Sequence, residues 1–403
     1  MPTETKTDSK TILLELIAGS VFGNSGYVLP ETAILSEVFK ESCDQTVIAL
    51  AFDALNAEKA ISLDEDTYNK WQQTAASVLS GNIRNQFADC ELHKILSEAG
   101  IPHCTIKGNA SAAYYPKPHL RQMGDIDFLV NECDFERTLK LLELRGFKAE
   151  ENNHKFHIGL KKNGTVYELH KQISYLPKNQ EYVFELTSNL ISDSVIYKTE
   201  LGEIRIPDKF CHGITLLLHM QRHIMNGEGI GLRHLLDWAV FADSFTDSEF
   251  RDCFENSLRS VGLWRFAQLM GMVSSIYLKM PYKKWIGDID SELAADIMDD
   301  IFDGGNFGHK KYTERVQDSI MISKTGENHS APVNVLLSLC KKIYIWKPFY
   351  EKHKYLLPIG FITYAVRILW QIIFKKKKVD LAGVAVNGRK RDILYKKFEL
   401  FKK

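Results

Sequence analysis

Asp125 and Asp127 stand two residues apart in the string Gly124-Asp125-Ile126-Asp127-Phe128-Leu129-Val130. The apolar residues after them predict a strand. Side chains along a strand alternate between faces, so both carboxylates point the same way. Two carboxylates on one face repel each other and resist ionising together unless a cation lies between them. Mg²⁺ takes hard oxygen ligands, commonly one or two protein carboxylates plus substrate phosphates. A third acid, Glu168, lies on a later predicted strand, where Val166, Glu168 and His170 share one face. If the two strands are neighbours, Glu168 completes a cluster for two Mg²⁺ ions about 3.5–4 Å apart, an arrangement suited to phosphoryl or nucleotidyl transfer from an NTP such as ATP. Lys107 and the amides from Gly108 and Asn109 into the next helix would then meet the phosphates. Arg121, four residues before Asp125, would neutralise charge developing on the leaving group. His170 is placed to touch substrate or to hold a carboxylate.

Simpler readings compete with each of these. Asp-x-Asp at a strand start is often a solvated turn; the ordered company of Lys107-Gly108, Arg121 and Glu168 favours a metal site. Glu168 alone could be a cross-strand partner of a lysine. His154 and His157, beside a predicted hairpin, read as surface residues. His219 and His223 are spaced as zinc ligands on a helix can be. The intervening sequence is Met220-Gln221-Arg222, with no glutamate at the zincin position, which weighs against metal there. Asp237 reads as a helix-packing or capping residue rather than a ligand.

The elements that must position these groups follow from periodicity. Residues 10 to 99 show apolar residues at helical spacing, with a long polar helix around 65–99. Residues 103–107 are β-compatible, Asn109 to Tyr115 is a short helix stopped by Pro116, and Gly124 introduces the strand Asp125–Val130. Residues 134–145 form a helix ended by Gly146. Asn163-Gly164 between two alternating runs predicts a hairpin, and a further strand pair falls at 195–206. Helices resume from Asp208 to about residue 280; Gly304-Gly305 and 322–331 read as loops. The expected class is α+β, a small mixed or antiparallel sheet core at 100–207. Helical regions flank it at 1–99 and 208–340, and a basic amphipathic tail follows at 341–403.

Composition bounds the partners. Lys+Arg and Asp+Glu each number 51, yet 17 of the basic and only 4 of the acidic residues fall in 341–403. A tail of local net charge +13 on an acidic body suggests an anionic surface as partner, or a solvated basic end. Residues 355–374 are about long enough to span a bilayer. Arg367, Pro358 and Gly360 inside them, and Lys375 to Lys378 after them, point instead to an amphipathic helix on the body or on a membrane surface. The seven cysteines are scattered without C-x-x-C, which argues against a disulfide framework and a cysteine zinc site. The N-terminus shows no secretory signal. The expectation is a cytoplasmic protein, peripheral to the inner face of the membrane if the tail binds lipid; nucleic acid is not an expected partner.

The string IPHCTIKGNASAAYY…HLRQMGDIDFLV, then VYELHKQI, resembles the uncharacterised nucleotidyltransferase group of the polymerase-β-like superfamily. Members of that group show L-K-G, then an arginine before G-D-I-D-L-L-V, then V-D/E-L-H, and a later helix similar to Leu232–Trp238. The likeness covers about residues 95–240. It implies Asp125 and Asp127 as Mg²⁺ ligands, Glu168 as third ligand or base, and Lys107-Gly108 at the phosphate turn. Two departures stand out: the wider superfamily has Gly-Ser or Gly-Gly where this chain has Gly108-Asn109, and its turn-to-carboxylate interval is shorter. The implied activity is Mg²⁺-dependent transfer of a nucleoside monophosphate from an NTP to a hydroxyl-bearing acceptor, a small molecule or sugar, releasing pyrophosphate. The alternatives are a toxin-like enzyme that modifies RNA or protein, and a non-catalytic scaffold docking on a membrane or assembly complex.

Overall fold

A computed structural model describes residues 8–23, 27–150, 157–173, 180–288, 290–311, 349–374 and 381–402, with single positions between 315 and 347. His154 and the predicted loop 322–331 lie outside the described residues. The architecture is α+β. Helices α1 (Ser9–Phe22), α2 (Leu35–Asp44), α3 (Ile48–Asp53) and α4 (Ala57–Glu98) precede the sheet. Then come β1 (His103–Thr105), α5 (Asn109–Ala112), β2 (Ile126–Val130), α6 (Phe135–Leu144), β3 (Lys148–Ala149), β4 (His157–Lys162) and β5 (Thr165–His170). A separate pair, β6 (Val195–Thr199) and β7 (Gly202–Ile206), leads to α7 (Lys209–Met225), α8 (Leu232–Asp243) and further helices.

Local chemistry accounts for several of these boundaries. The Asn56 side chain caps α4 by accepting from the Lys59 N–H. The helix kinks at Asp64, whose carboxylate accepts from the Thr67 N–H and hydroxyl and so restarts it. Asn163 and Gly164 both adopt positive φ (49° and 79°), the left-handed pair that a two-residue hairpin turn needs. Asp208 accepts from the N–H groups of Phe210 and Cys211 and opens α7.

The five-stranded sheet has the order β1-β2-β5-β4-β3. β2 pairs antiparallel with β1 and parallel with β5, while β5 pairs antiparallel with β4. Its alternation sorts the residues cleanly. Ile126, Phe128 and Val130 of β2, with Tyr167 and Leu169 of β5, pack against Ala88, Leu92 and Leu96 of α4 and Phe135 and Leu142 of α6. Asp127, Glu168 and His170 occupy the alternate positions, so they emerge on the opposite face. A one-residue slip of β2 would bury both aspartates in this apolar layer, and burying charge without partners is prohibitive. The sheet's hydrophobic packing therefore also sets the register of the acids.

A larger apolar core joins α1–α3, the first half of α4, α7, α8 and the helices Trp264–Tyr277 and Ser291–Gly304. Leu394, Tyr395, Phe398, Leu400 and Phe401 enter this same core, and the Phe401 N–H donates to the Gly262 carbonyl. The basic C-terminal stretch, read from sequence as a tail, thus ends packed into the body. No described helix is long and apolar enough to cross a membrane.

Candidate active site

The parallel register of β2 and β5 sets Asp127 directly opposite Glu168. Asp125 precedes β2 by one residue, and all three acids line one cavity of about 380 Å³. Lys107 reaches into it from the turn after β1, its Nζ 2.6 Å from Asp127 Oδ1. His170 Nε2 lies 2.9 Å from Asp127 Oδ1 and 3.1 Å from Glu168 Oε2, bridging the two carboxylates. His157, across the hairpin on β4, is 3.6 Å from Glu168 Oε1.

The electrostatics show how three acids coexist here. Burial, then the charges of Asp127 and Glu168, push the Asp125 carboxyl up to about 6. For Asp127 burial acts the same way, but the Lys107 ammonium and His170 outweigh it and hold the carboxyl far below the usual range. Glu168 is likewise lowered: burial opposes ionisation, and the His170 hydrogen bond overcomes it. His170 is raised: burial opposes its charge, but its bonds to Asp127 and Glu168 prevail. Protein cations thus compensate Asp127 and Glu168, while Asp125 carries excess negative charge. Three converging carboxylates with an uncompensated member are a hard-oxygen donor set that fits a divalent cation of the Mg²⁺ kind.

The turn to which the sequence assigns phosphate contacts is built around Gly108. Its backbone (φ 55°, ψ −106°) is one that residues with a Cβ rarely adopt. α5 is a single turn, so any phosphate would meet a few N–H groups rather than a full helix dipole. The Asn109 side chain points away from the cavity. Its Nδ2 donates to Asn85 Oδ1 and, at 2.8 Å, to Asp89 Oδ2, so only its backbone is available to a ligand. Asp89 also accepts from the Thr105 hydroxyl, and burial pushes its carboxyl up to about 6.

Arg121 lines the same cavity, but its donors are already engaged. Its Nε and Nη2 each donate at 2.6 Å to the two oxygens of Asp237, and the Tyr115 hydroxyl donates to the same carboxylate. Both charged side chains are buried, so the bidentate pair clamps the segment before Asp125 onto α8. Asp237 is a packing partner, in keeping with its reading from sequence. Two other arginines line the cavity, Arg222 of α7 and Arg233 of α8. Arg233 donates to the Gln122 carbonyl and has no acidic partner among the described residues. Burial, then the neighbouring Arg121 charge, lower it to about 10. The sequence assigns Arg233 no role, because its distance along the chain hides that α8 forms the opposite wall.

With this geometry in place, the comparison with known families is decisive. A model of the uncharacterised nucleotidyltransferase family matches residues 36–279. The chain belongs to that family. It is therefore a nucleotidyltransferase, as the resemblance of the Asp-Ile-Asp strand implied. The match takes in α2–α4, the whole sheet, α7 and α8, so both walls of the cavity fall within the family unit. No curated protein and no solved structure matches the chain.

Proposed function

We propose that this nucleotidyltransferase is Mg²⁺-dependent and moves a nucleoside monophosphate from an NTP to a hydroxyl-bearing small molecule or sugar, releasing pyrophosphate. The observation that carries the reading is the pairing of Asp127 with Glu168 across β2 and β5, with Asp125 beside them. Asp125, Asp127 and Glu168 would hold the metal, which when bound supplies Lewis-acid stabilisation of phosphate charge. Lys107, which pairs with Asp127, lines the cavity where it would also meet the phosphates. The N–H groups at Gly108 and Asn109 and the guanidinium of Arg233 complete the anion-binding wall; Arg233 takes the leaving-group role that spacing alone assigned to Arg121. The acceptor hydroxyl gives its proton to the Glu168 carboxylate, which His170 and His157 orient. The acceptor oxygen then bonds to the α-phosphorus as the α–β phosphoanhydride bond breaks and pyrophosphate leaves.

A small acceptor fits the enclosure. The cavity lies between the sheet and α7–α8, and its size is at the lower end of small-ligand sites. The test is thermal stabilisation by each NTP with and without Mg²⁺, followed by mass spectrometry of an acceptor pool incubated with the stabilising NTP. Expected is Mg²⁺-dependent stabilisation by at least one NTP that disappears in Asp127→Ala, and an acceptor heavier by one nucleotidyl group, a nucleoside monophosphate less water. Absence of stabilisation by any NTP, with a known nucleotidyltransferase responding in parallel, would overturn the reading.

A further inference from the structure

Behind the carboxylates, the same cavity carries a second donor set. α7 supplies His219 and His223 one turn apart, and α8 supplies His234. One ring nitrogen of each histidine lies within 4.8 Å of the other two. The Nε2 atoms of His219 and His223 are 3.0 Å apart, a spacing that two nitrogens bound about 2.0–2.1 Å from one zinc ion can adopt. His219 and His223 line the cavity, and the Phe307 ring packs on all three histidines.

The surroundings favour an ion over a plain histidine stack. Glu228 hydrogen-bonds His223 Nδ1. That contact places the proton on Nδ1 and leaves the Nε2 lone pair facing the cluster, as carboxylates do for metal-bound histidines. The buried His234 Nε2 has no hydrogen-bond partner among the described residues, and neither does the buried Asn306 Oδ1 on the same wall. Burial disfavours charge on all three histidines; neighbouring cations add to this at His219 and His234, while Glu228 opposes it at His223. Two adjustments are required. With the His223 proton on Nδ1, His219 Nε2 is the donor in the contact between the two rings, so its ligation moves that proton to Nδ1. His234 Nδ1 accepts from the Gly231 N–H, so ligation through Nε2 moves the proton to Nδ1 and gives up that bond. Two neutral hydrogen bonds are small against the metal–nitrogen bonds that replace them.

We propose that His219, His223 and His234 form a site for a divalent transition metal, zinc by ligand type, distinct from the carboxylate cluster and open to the same cavity. No glutamate follows His219 in the zincin position, so the site is not a zincin. His219 and His223 border the cavity in which an acceptor would lie.

The proposal does not depend on the transfer chemistry, and its test reads binding. Tag-free, metal-stripped full-length protein is titrated calorimetrically with Zn²⁺ in excess Mg²⁺, and with Co²⁺ while visible ligand-field absorption is followed. Expected is one equivalent bound by the parent and by Asp127→Ala, and binding weakened at least about 100-fold in His223→Gln and His234→Gln. Glu228→Gln removes no ligand and should weaken binding about 10–100-fold; it remains informative if a histidine variant fails to fold by circular dichroism. Failure of the parent to bind an equivalent, or zinc that is lost in Asp127→Ala yet retained in His234→Gln and Glu228→Gln, would overturn the proposal.

Discussion

Removing the Asp237 carboxylate should unhinge the site without touching any reacting group. Arg121 and Asp237 meet through two parallel hydrogen bonds of 2.6 Å, with side chains only 6% and 7% exposed. Water cannot replace either partner. Asp237→Ala leaves a buried guanidinium uncompensated, which costs about 3–5 kcal/mol. It also strands the Tyr115 hydroxyl, whose loss lies within that figure rather than on top of it because the three groups form one network. Against a stability of roughly 5–15 kcal/mol the variant should fold but melt early. Urea unfolding of the parent, Asp237→Ala, Arg121→Met and the double variant Arg121→Met/Asp237→Leu measures the coupling. The double variant, with no orphaned charge, should recover at least about 2 kcal/mol of the loss, since apolar replacement of a buried pair is often neutral. It should also keep transfer activity within about tenfold, because Arg121 acts through its grip on α8. A cation lost from the leaving group instead costs about 10²–10³ in kcat. A fully stable double variant with activity down by that factor would refute the positioning argument and return Arg121 to the reaction.

Three further outcomes follow from the same contacts. Arg233→Met should lower kcat by about 10²–10³ while leaving urea stability unchanged or improved, since it removes a buried charge whose proton affinity is already depressed; steady-state kinetics beside a urea melt decides. Asp89 has a folded-state pKa of about 6 against an ordinary value near 3.8, so the folded state holds the extra proton. The stability this contributes is complete below pH 4 and fades as pH rises through 6, a loss of roughly 3 kcal/mol by pH 8. Asp89→Asn should flatten that slope in urea melts at pH 4.5 and pH 8, and an unchanged slope would contradict it. Along the helix Leu357–Phe374 and the turn before it, Tyr355, Ile359, Ile362, Val366 and Trp370 form an exposed apolar stripe at helical spacing beside the basic C-terminal sequence. We expect salt-sensitive sedimentation with anionic liposomes that Ile362→Glu/Val366→Glu abolishes. Deleting 355–403 is the wrong control, because Leu394 to Phe401 belong to the core.

What the sequence revealed and what it concealed divide along one physical line. Short-range pattern was readable: the Asn163-Gly164 turn, the capped helices, and the alternation that separates Asp127 from Phe128 all depend on neighbours within a few residues. The convergence of the three acids on one side of the sheet was legible for the same reason, since alternation along each strand decides which face a side chain takes. The Arg121 pairing was hidden because spacing along the chain cannot show that Asp237, more than a hundred residues away, claims its donors. The commitment of the Asn109 side chain was hidden in the same way, its amide taken by Asp89 and Asn85 from α4. His219 and His223 looked idle because their third member, His234, lies on the next helix and their carboxylate, Glu228, in the loop between. Each of these residues is charged or polar, buried, and answered from another element. Such groups must find partners to tolerate burial, and the partner, not the local pattern, decides whether a side chain clamps the fold or faces the cavity. By that criterion the helical wall formed by α7 and α8 belongs to the site as fully as the sheet does. Among the described residues, Arg222 and Arg233 have no acid partner there, and the histidines have only Glu228.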